Sequence, residues 1–242
     1  MFNSALAAHR YAISSTDTKP YLLYWLRDNE FIPNQSPTQP IRGPIMTSLF
    51  IPMALYGALW VSFGLGHSFF AASPGRSWLR RIAGNRERLV YNAIALLHLI
   101  IVLALGAILF AGHAPFHRPI LLRALMDGLV LLGVIILYRA GKSYDLARFL
   151  GLTSPATMEP LAVSGMNRIV RHPLYLGLIL LLLGLCTTPL SLATTIFAVI
   201  YILIGIRFEE RKLVQIYGAA YQTYCAEVPM LIPRWNRLPS AP

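Results

Sequence analysis

The sequence predicts an all-α integral membrane protein of about five transmembrane helices, the last two forming a helical hairpin, with a cytoplasmic amphipathic helix near the C-terminus. Three observations predict it. The chain is 56% hydrophobic and 13% charged, with a mean hydropathy of +0.56, whereas a soluble domain carries about 25% charge. Its apolar residues gather in runs of roughly 18 or more, long enough at 1.5 Å per residue to cross a hydrocarbon layer about 30 Å thick. Its basic residues crowd into alternate loops.

Residues 1–45 stand apart. They contain Pro20, Pro33, Pro37, Pro40 and Pro44, hold no run of span length, and lack the basic, apolar, small-residue order of a signal peptide. They read as a disordered extension, and Met46 is a candidate for the true start. Residues 46–140 then hold three spans, at 48–72, 89–111 and 120–138. In span three Asp127 follows Arg123 by one turn, a spacing at which the two charges can neutralise each other. Residues 141–242 hold the rest. A mostly polar stretch, with an interfacial patch at 144–150, precedes an apolar run from 174 to 206. As one helix that run would be near 50 Å long. Thr187-Thr188-Pro189 lies at its middle, and proline removes a helix donor and clashes with the preceding turn, so the run divides into two spans joined by a tight turn.

Charge tests this count. Arg76, Arg80, Arg81, Arg86 and Arg88 follow span one; Arg139, Lys142, Arg148, Arg168 and Arg171 follow span three; Arg207, Arg211, Lys212, Arg234 and Arg237 follow span five. The alternation places the C-terminus in the cytoplasm. It also accounts for the net charge of +11 without nucleic acid, for which no zinc knuckle, basic helix or aromatic platform is visible. In the last segment Leu213, Ile216, Tyr217, Ala220, Tyr221 and Tyr224 share one helical face, predicting an amphipathic helix over 207–225 with Gly218 as its weak point.

Two constellations bear chemistry. Arg171-His172-Pro173-Leu174-Tyr175-Leu176-Gly177 stands where a basic loop enters span four. Proline suits a first helical turn, the free N–H groups of that turn attract anions, and Gly177 permits close backbone or ligand approach. Glu209-Glu210 stands at the end of span five. The hairpin brings both to one membrane side, where they would form the anion-binding and cation-binding ends of one pocket. Such a pocket suits a zwitterionic sulfonium such as S-adenosylmethionine: Arg171 or helix N–H groups for its carboxylate, a glutamate for its ammonium or ribose, Tyr175 or Tyr221 for adenine or the sulfonium. The residues alone leave a plainer alternative open, in which Arg171 and His172 set topology and Arg207, Arg211 and Lys212 neutralise the glutamates.

His67 and His98 lie in or near spans one and two and read as helix-packing residues; no metal site is expected. Cys186 and Cys225 form no CxxC pair and read as small apolar residues. No glycine-rich nucleotide loop follows a strand, and neither a P-loop nor a GxSxG elbow is present. No inverted repeat suggests a transporter.

Four blocks in order resemble the membrane methyltransferases that include isoprenylcysteine carboxyl methyltransferase and bacterial phospholipid N-methyltransferases. They are the Arg171–Gly177 block, Phe208-Glu209-Glu210-Arg211-Lys212-Leu213, Tyr217-Gly218-Ala219-Ala220-Tyr221-Gln222-Thr223-Tyr224, and Val228-Pro229-Met230-Leu231-Ile232-Pro233. Gly66-His67-Ser68-Phe69-Phe70-Ala71-Ala72-Ser73 with Tyr91-Asn92, and Tyr144-Asp145-Leu146 with Phe149-Leu150-Gly151-Leu152, are similar to a bacterial subgroup. That subgroup holds methanethiol S-methyltransferase and membrane proteins linked to nitric oxide reductase expression. The resemblance implies S-adenosylmethionine as cofactor, bound by His172, Tyr175, Gly177, Glu209 and Glu210, to which the residue reading adds Tyr221. Arg171 and Glu210 are the expected catalytic residues, since a thiol must lose its proton and a cation such as Arg171 lowers its pKa. The resemblance also implies a bacterial inner-membrane location and a small or lipophilic thiol as acceptor. A prenylcysteine carboxylate, a phospholipid amine and a non-catalytic accessory role in nitrogen-oxide respiration are its alternatives.

Overall fold

The computed structural model describes residues 45–142, 152, 161 and 163–234, with side chains from residue 49 onward. The expected N-terminal extension and the interfacial patch at 144–150 lie outside the described residues.

All regular structure among the described residues is helical. Helices α1 (Ile45–Ala71), α2 (Ser73–Ala83), α3 (Glu87–Leu109), α4 (Ile120–Gly141), α5 (Pro173–Gly184), α6 (Pro189–Tyr217) and α7 (Ala219–Glu227) follow in chain order. Four helical stretches are long and apolar enough to cross a membrane: Leu49–Ala71, Ser73–Leu109, Ile120–Gly141 and Pro189–Tyr217. The fifth expected span is α5, which is apolar but has only 12 residues, about 18 Å of rise. The chain is a multi-pass membrane protein. Large apolar side chains such as Phe50, Ile120 and Leu121 stand 73%, 82% and 80% exposed, as a lipid-facing surface requires.

Two kinds of packing hold the helices. Aromatic residues join α1, α3 and α6. Tyr56 is fully buried, lies edge-on to Phe110 and Phe197, and shares a 2.9 Å hydrogen bond with Thr194. Further along, Phe63 and Trp60 contact Tyr201. Residue numbers rise together on both helices, so α1 and α6 run parallel.

Glycines join α4 and α5. A Cβ at Gly133 would lie 2.8 Å from the Gly177 carbonyl and the Leu181 amide; one at Gly184 would lie 2.6 Å from the Met126 carbonyl. Only hydrogen fits there, so the two backbones pack in contact, antiparallel, as small residues permit between membrane helices.

The hairpin turn is where the sequence puts it. Thr188 caps α6: its hydroxyl accepts from the Ser191 amide at 3.1 Å, while the Ser191 hydroxyl accepts from the Thr187 and Thr188 amides at 2.8 Å each, and Pro189 occupies the first turn. This is a capping box with serine at the third position. The Phe116 amide donates to the Thr187 carbonyl at 2.9 Å, tying the turn to the α3–α4 loop.

Three expectations change. The segment 207–225 is not a separate helix: α6 continues without interruption to Tyr217, because no breaker separates span from tail. The break falls at Gly218, whose φ of 57° and ψ of −130° lie in a region open essentially to glycine alone. Residues 73–83, expected as loop, form α2. Pro74 in the first turn and Trp78, Leu79 and Ile82 on one face were the available signals; Leu79 is 2% exposed, and Arg80 forks onto Glu87 through two 2.8 Å bonds. Finally, Arg123 does not turn to Asp127. Its Nε donates to the Arg118 carbonyl at 3.2 Å, one turn nearer the helix end, where a long cation meets water more readily.

Candidate functional site

The four sequence blocks meet at one end of the bundle. His172 precedes α5 and Pro173 begins it. The chain leaving α7 returns alongside: the Arg171 amide donates to the Pro229 carbonyl at 2.9 Å and the His172 amide to the Met230 carbonyl at 3.2 Å. Val170, just before, is completely buried.

Arg171 and Glu210 join this layer to α6. Nε and a terminal nitrogen of Arg171 lie 2.8 and 2.6 Å from Oε1 of Glu210, and the other terminal nitrogen donates to the Cys225 and Val228 carbonyls at 3.1 and 2.6 Å. The two side chains are 11% and 17% exposed. His172, 6% exposed, places Nε2 3.2 Å from the same carboxylate oxygen. A charge-assisted, largely water-excluded pair with two donors converging on one oxygen is strong, and removing one partner strands the other.

Glu209 faces elsewhere, as neighbours about 100° apart on a helix must. Its Oε2 accepts from the Tyr175 hydroxyl at 3.0 Å, and the Tyr175 ring lies 5.7 Å from that of His172. Glu209, Tyr175 and His172 thus line one side of the α5 start, where Pro173 has no N–H to donate and the Leu176 amide donates to the His172 carbonyl at 3.0 Å.

The α7 residues close the other side. Tyr224 donates to the Asn167 carbonyl at 2.6 Å; burial pushes its hydroxyl up to about 12, with the Arg171 charge pulling the other way. Tyr221 is 1% exposed. Its hydroxyl makes no hydrogen bond of regular geometry among the described residues, though the Cys225 thiol is near enough to interact weakly. Burial first, then the negative charge of Glu210, raise its pKa. Burial likewise raises Cys225 more than Arg171 lowers it, so that thiol is no activated nucleophile.

The structure therefore brings Arg171, His172, Tyr175, Glu209, Glu210 and Tyr221 together, but in other relations than expected. Arg171 and Glu210, foreseen at opposite ends of a ligand, hold each other. Most of the guanidinium's donors are committed to Glu210 and two carbonyls, because the returning C-terminal segment supplies acceptors that sequence separation concealed. Tyr221 is packed against Tyr224 at 5.8 Å and presents no open ring face. Gly177 faces α4: a Cβ there would meet Leu137 Cγ at 2.8 Å and the Gly133 carbonyl at 3.1 Å, so its smallness serves helix approach.

A second polar group lies between α1 and α3. His67 and Tyr91 are hydrogen-bonded through Nε2 and the hydroxyl, and Ser62 bonds His98 Nε2 at 3.2 Å. The histidines are satisfied by neighbouring helices, as expected.

The chain is 29% identical to a methanethiol S-methyltransferase of Crocosphaera subtropica over 85% of this chain and 82% of that one. It is 30% identical to methanethiol S-methyltransferase 2 of Bradyrhizobium diazoefficiens over 71% and 70%, and 31% identical to the methanethiol S-methyltransferase of a Pseudomonas strain over 67% and 65%. No solved structure matches. The family described as NnrU protein matches residues 54–183, which is more than half of the chain. The chain belongs to the NnrU protein family.

Proposed function

We propose that this chain is an S-adenosylmethionine-dependent membrane methyltransferase acting on methanethiol or a comparably small thiol. The observation that carries the reading is the convergence of four separated sequence blocks on one cluster, Arg171–Glu210–His172 beside Tyr175–Glu209, in a chain whose relatives are named methanethiol S-methyltransferases.

The donor set suits a zwitterionic sulfonium. Glu209 keeps one oxygen outside its bond to Tyr175 and offers it to an ammonium or a ribose hydroxyl. The positive end of the α5 dipole suits a carboxylate. The buried Tyr221 hydroxyl, without a regular partner among the described residues, leaves one further polar contact to be made. Arg171 and Glu210 work indirectly: by fastening the 225–230 segment to α5 and α6 they build the wall of the site. His172 and Tyr175 supply its aromatic edge. When bound, S-adenosylmethionine provides an electrophilic methyl on sulfur with a good leaving group, so the protein's task is positioning, which can contribute several kcal/mol, and exclusion of water.

The basic residues collect at one end: Arg76 and Arg80 beyond α1, Arg139 and Lys142 at the end of α4, Arg207, Arg211 and Lys212 late in α6. By the positive-inside rule that end, with the site and the C-terminus, faces the cytoplasm of a bacterial inner membrane.

Purified protein in lipid nanodiscs tests the reading. Calorimetric titration with S-adenosylmethionine should give saturable binding, and methyl-labelled cofactor with methanethiol should place label in volatile dimethyl sulfide. Folded protein that binds no cofactor ends the proposal. Label appearing instead in lipid amine or prenylcysteine would replace the acceptor class.

A further inference from the structure

The cofactor reading leaves His67, Tyr91 and His98 unused. They line a small cavity between α1 and α3 together with Phe63, Phe70 and Ile94. Polar side chains at membrane depth are expensive and tend to face a functional cavity. Here two histidines and a tyrosine open into one. The two segments that the sequence singled out separately, 66–73 and 91–92, touch through the His67–Tyr91 bond.

We infer that this cavity seats the methyl acceptor and that the His67–Tyr91 pair takes the thiol proton. The inference rests on the methyltransferase reading above and names its acceptor site. Size selects the ligand. The cavity volume is about 20 Å³, little more than the roughly 10–15 Å³ that admits one water, so it takes the head of a one- or two-heavy-atom solute. A prenyl or acyl chain has no room. Chemistry agrees: the walls formed by Phe63, Phe70 and Ile94 suit a soft sulfur, and the acidic hydrogen of a thiol meets the Tyr91 hydroxyl.

In the step, the S–H bond breaks and its proton passes to the Tyr91 oxygen while the Tyr91 proton passes to His67 Nε2. The thiolate lone pair forms the new S–C bond as the methyl–sulfonium bond breaks, its electrons going to the departing thioether. The products are a thioether, the demethylated cofactor and a proton held by His67 for release.

The placement allows the two sites to cooperate. Tyr201 of α6 touches the His67 ring at 5.7 Å, and Glu209 follows eight residues later on the same helix, about 12 Å of rise. An extended nucleoside–amino-acid conjugate covers that interval. The ionisable groups facing His67 are Tyr91 and His98 of α3 and Tyr201 of α6.

The test uses the full chain in nanodiscs with methyl-labelled S-adenosylmethionine. His67→Asn and Tyr91→Phe should each lower kcat/KM for methanethiol by about 100-fold or more, the scale of a lost general base, and flatten the acid limb of its pH profile, with calorimetric cofactor affinity unchanged. Ile94→Ala, which only trims a wall, should move the preference between methanethiol and propanethiol by roughly 10-fold toward the larger thiol. It decides the question alone if the polar variants lose cofactor binding. Wild-type rates and pH profile in cofactor-binding His67→Asn and Tyr91→Phe, or an unchanged thiol ranking in Ile94→Ala, overturn the inference. A wild-type chain that binds cofactor yet methylates no thiol refutes the proposed function instead.

Discussion

Replacing Arg171 by methionine and Glu210 by glutamine, singly and together, isolates the pair that fastens the C-terminal segment to the bundle. The expected cost follows from what each change strands. Arg171→Met leaves Glu210, 17% exposed, without its counter-charge and removes the donor from the Cys225 and Val228 carbonyls. Stranding a buried charge costs about 3–5 kcal/mol. Residual exposure puts this case at the low end, and each orphaned carbonyl adds about 1 kcal/mol. The single variant should therefore lose about 5 kcal/mol, or roughly 10–20 °C in melting temperature for a chain of this size. Glu210→Gln keeps an acceptor oxygen for Arg171 and should lose about 2 kcal/mol. The double variant strands no charge and should lose less than Arg171→Met alone, so the two effects should fall short of additivity by at least about 2 kcal/mol. Tryptophan-fluorescence melts in nanodiscs, with loss of proteolytic resistance near residue 228 as a second readout, measure all four corners of the cycle. Effects that add to within about 0.5 kcal/mol would refute the claim that the two groups hold each other.

Three further outcomes follow from the packing and the site. Gly184→Ala sets a methyl 2.6 Å from the Met126 carbonyl and should destabilise by about 1–3 kcal/mol; Gly141→Ala, with open space around its Cβ position, should be near neutral in the same melts. Glu209→Gln and Tyr175→Phe should weaken S-adenosylmethionine about 10-fold by calorimetry, the scale of one lost charge-assisted contact, without lowering the melting temperature. The folded-state pKa of Tyr224 lies above its ordinary 10, at about 12. The unfolded chain therefore loses the proton first, and stability should fall as pH rises from about 10 to 12. Tyr224→Phe should be less stable at neutral pH, lacking the bond to Asn167, but should show a shallower alkaline decline.

Helix count, the hairpin and the meeting of Arg171–His172 with Glu209–Glu210 were legible because they rest on local signals: apolar length, a Thr-Thr-Pro turn, and hairpin geometry that forces two ends together. The end of α6 was not, because the charges from Arg207 onward mark the water boundary without breaking the helix; only Gly218 does that. The role of Arg171 was hidden for a different reason. Its partners at Cys225 and Val228 lie more than fifty residues away and are backbone carbonyls, which leave no side-chain signature. Gly177 illustrates ambiguity of kind: a glycine chosen for ligand approach and one chosen for helix contact look identical until the helix facing it is known. α2 was readable from its proline and apolar face but was masked by its five neighbouring arginines, which read first as a topology signal.

Helix α6 carries a further consequence. It is one unbroken rod of 29 residues with no proline after Pro189, and it bears Tyr201 at one station and the two glutamates at another. The spacing between those stations is thus a matter of pitch, graduated in steps of about 1.5 Å and 100°, and loops have no say in it. Insertion of a single residue between Ile202 and Phe208 would change no side chain in either place, yet it would turn both glutamates away from Arg171 and Tyr175 while Tyr201 stayed where it was. Alignment here is kept by a ruler rather than by a hinge.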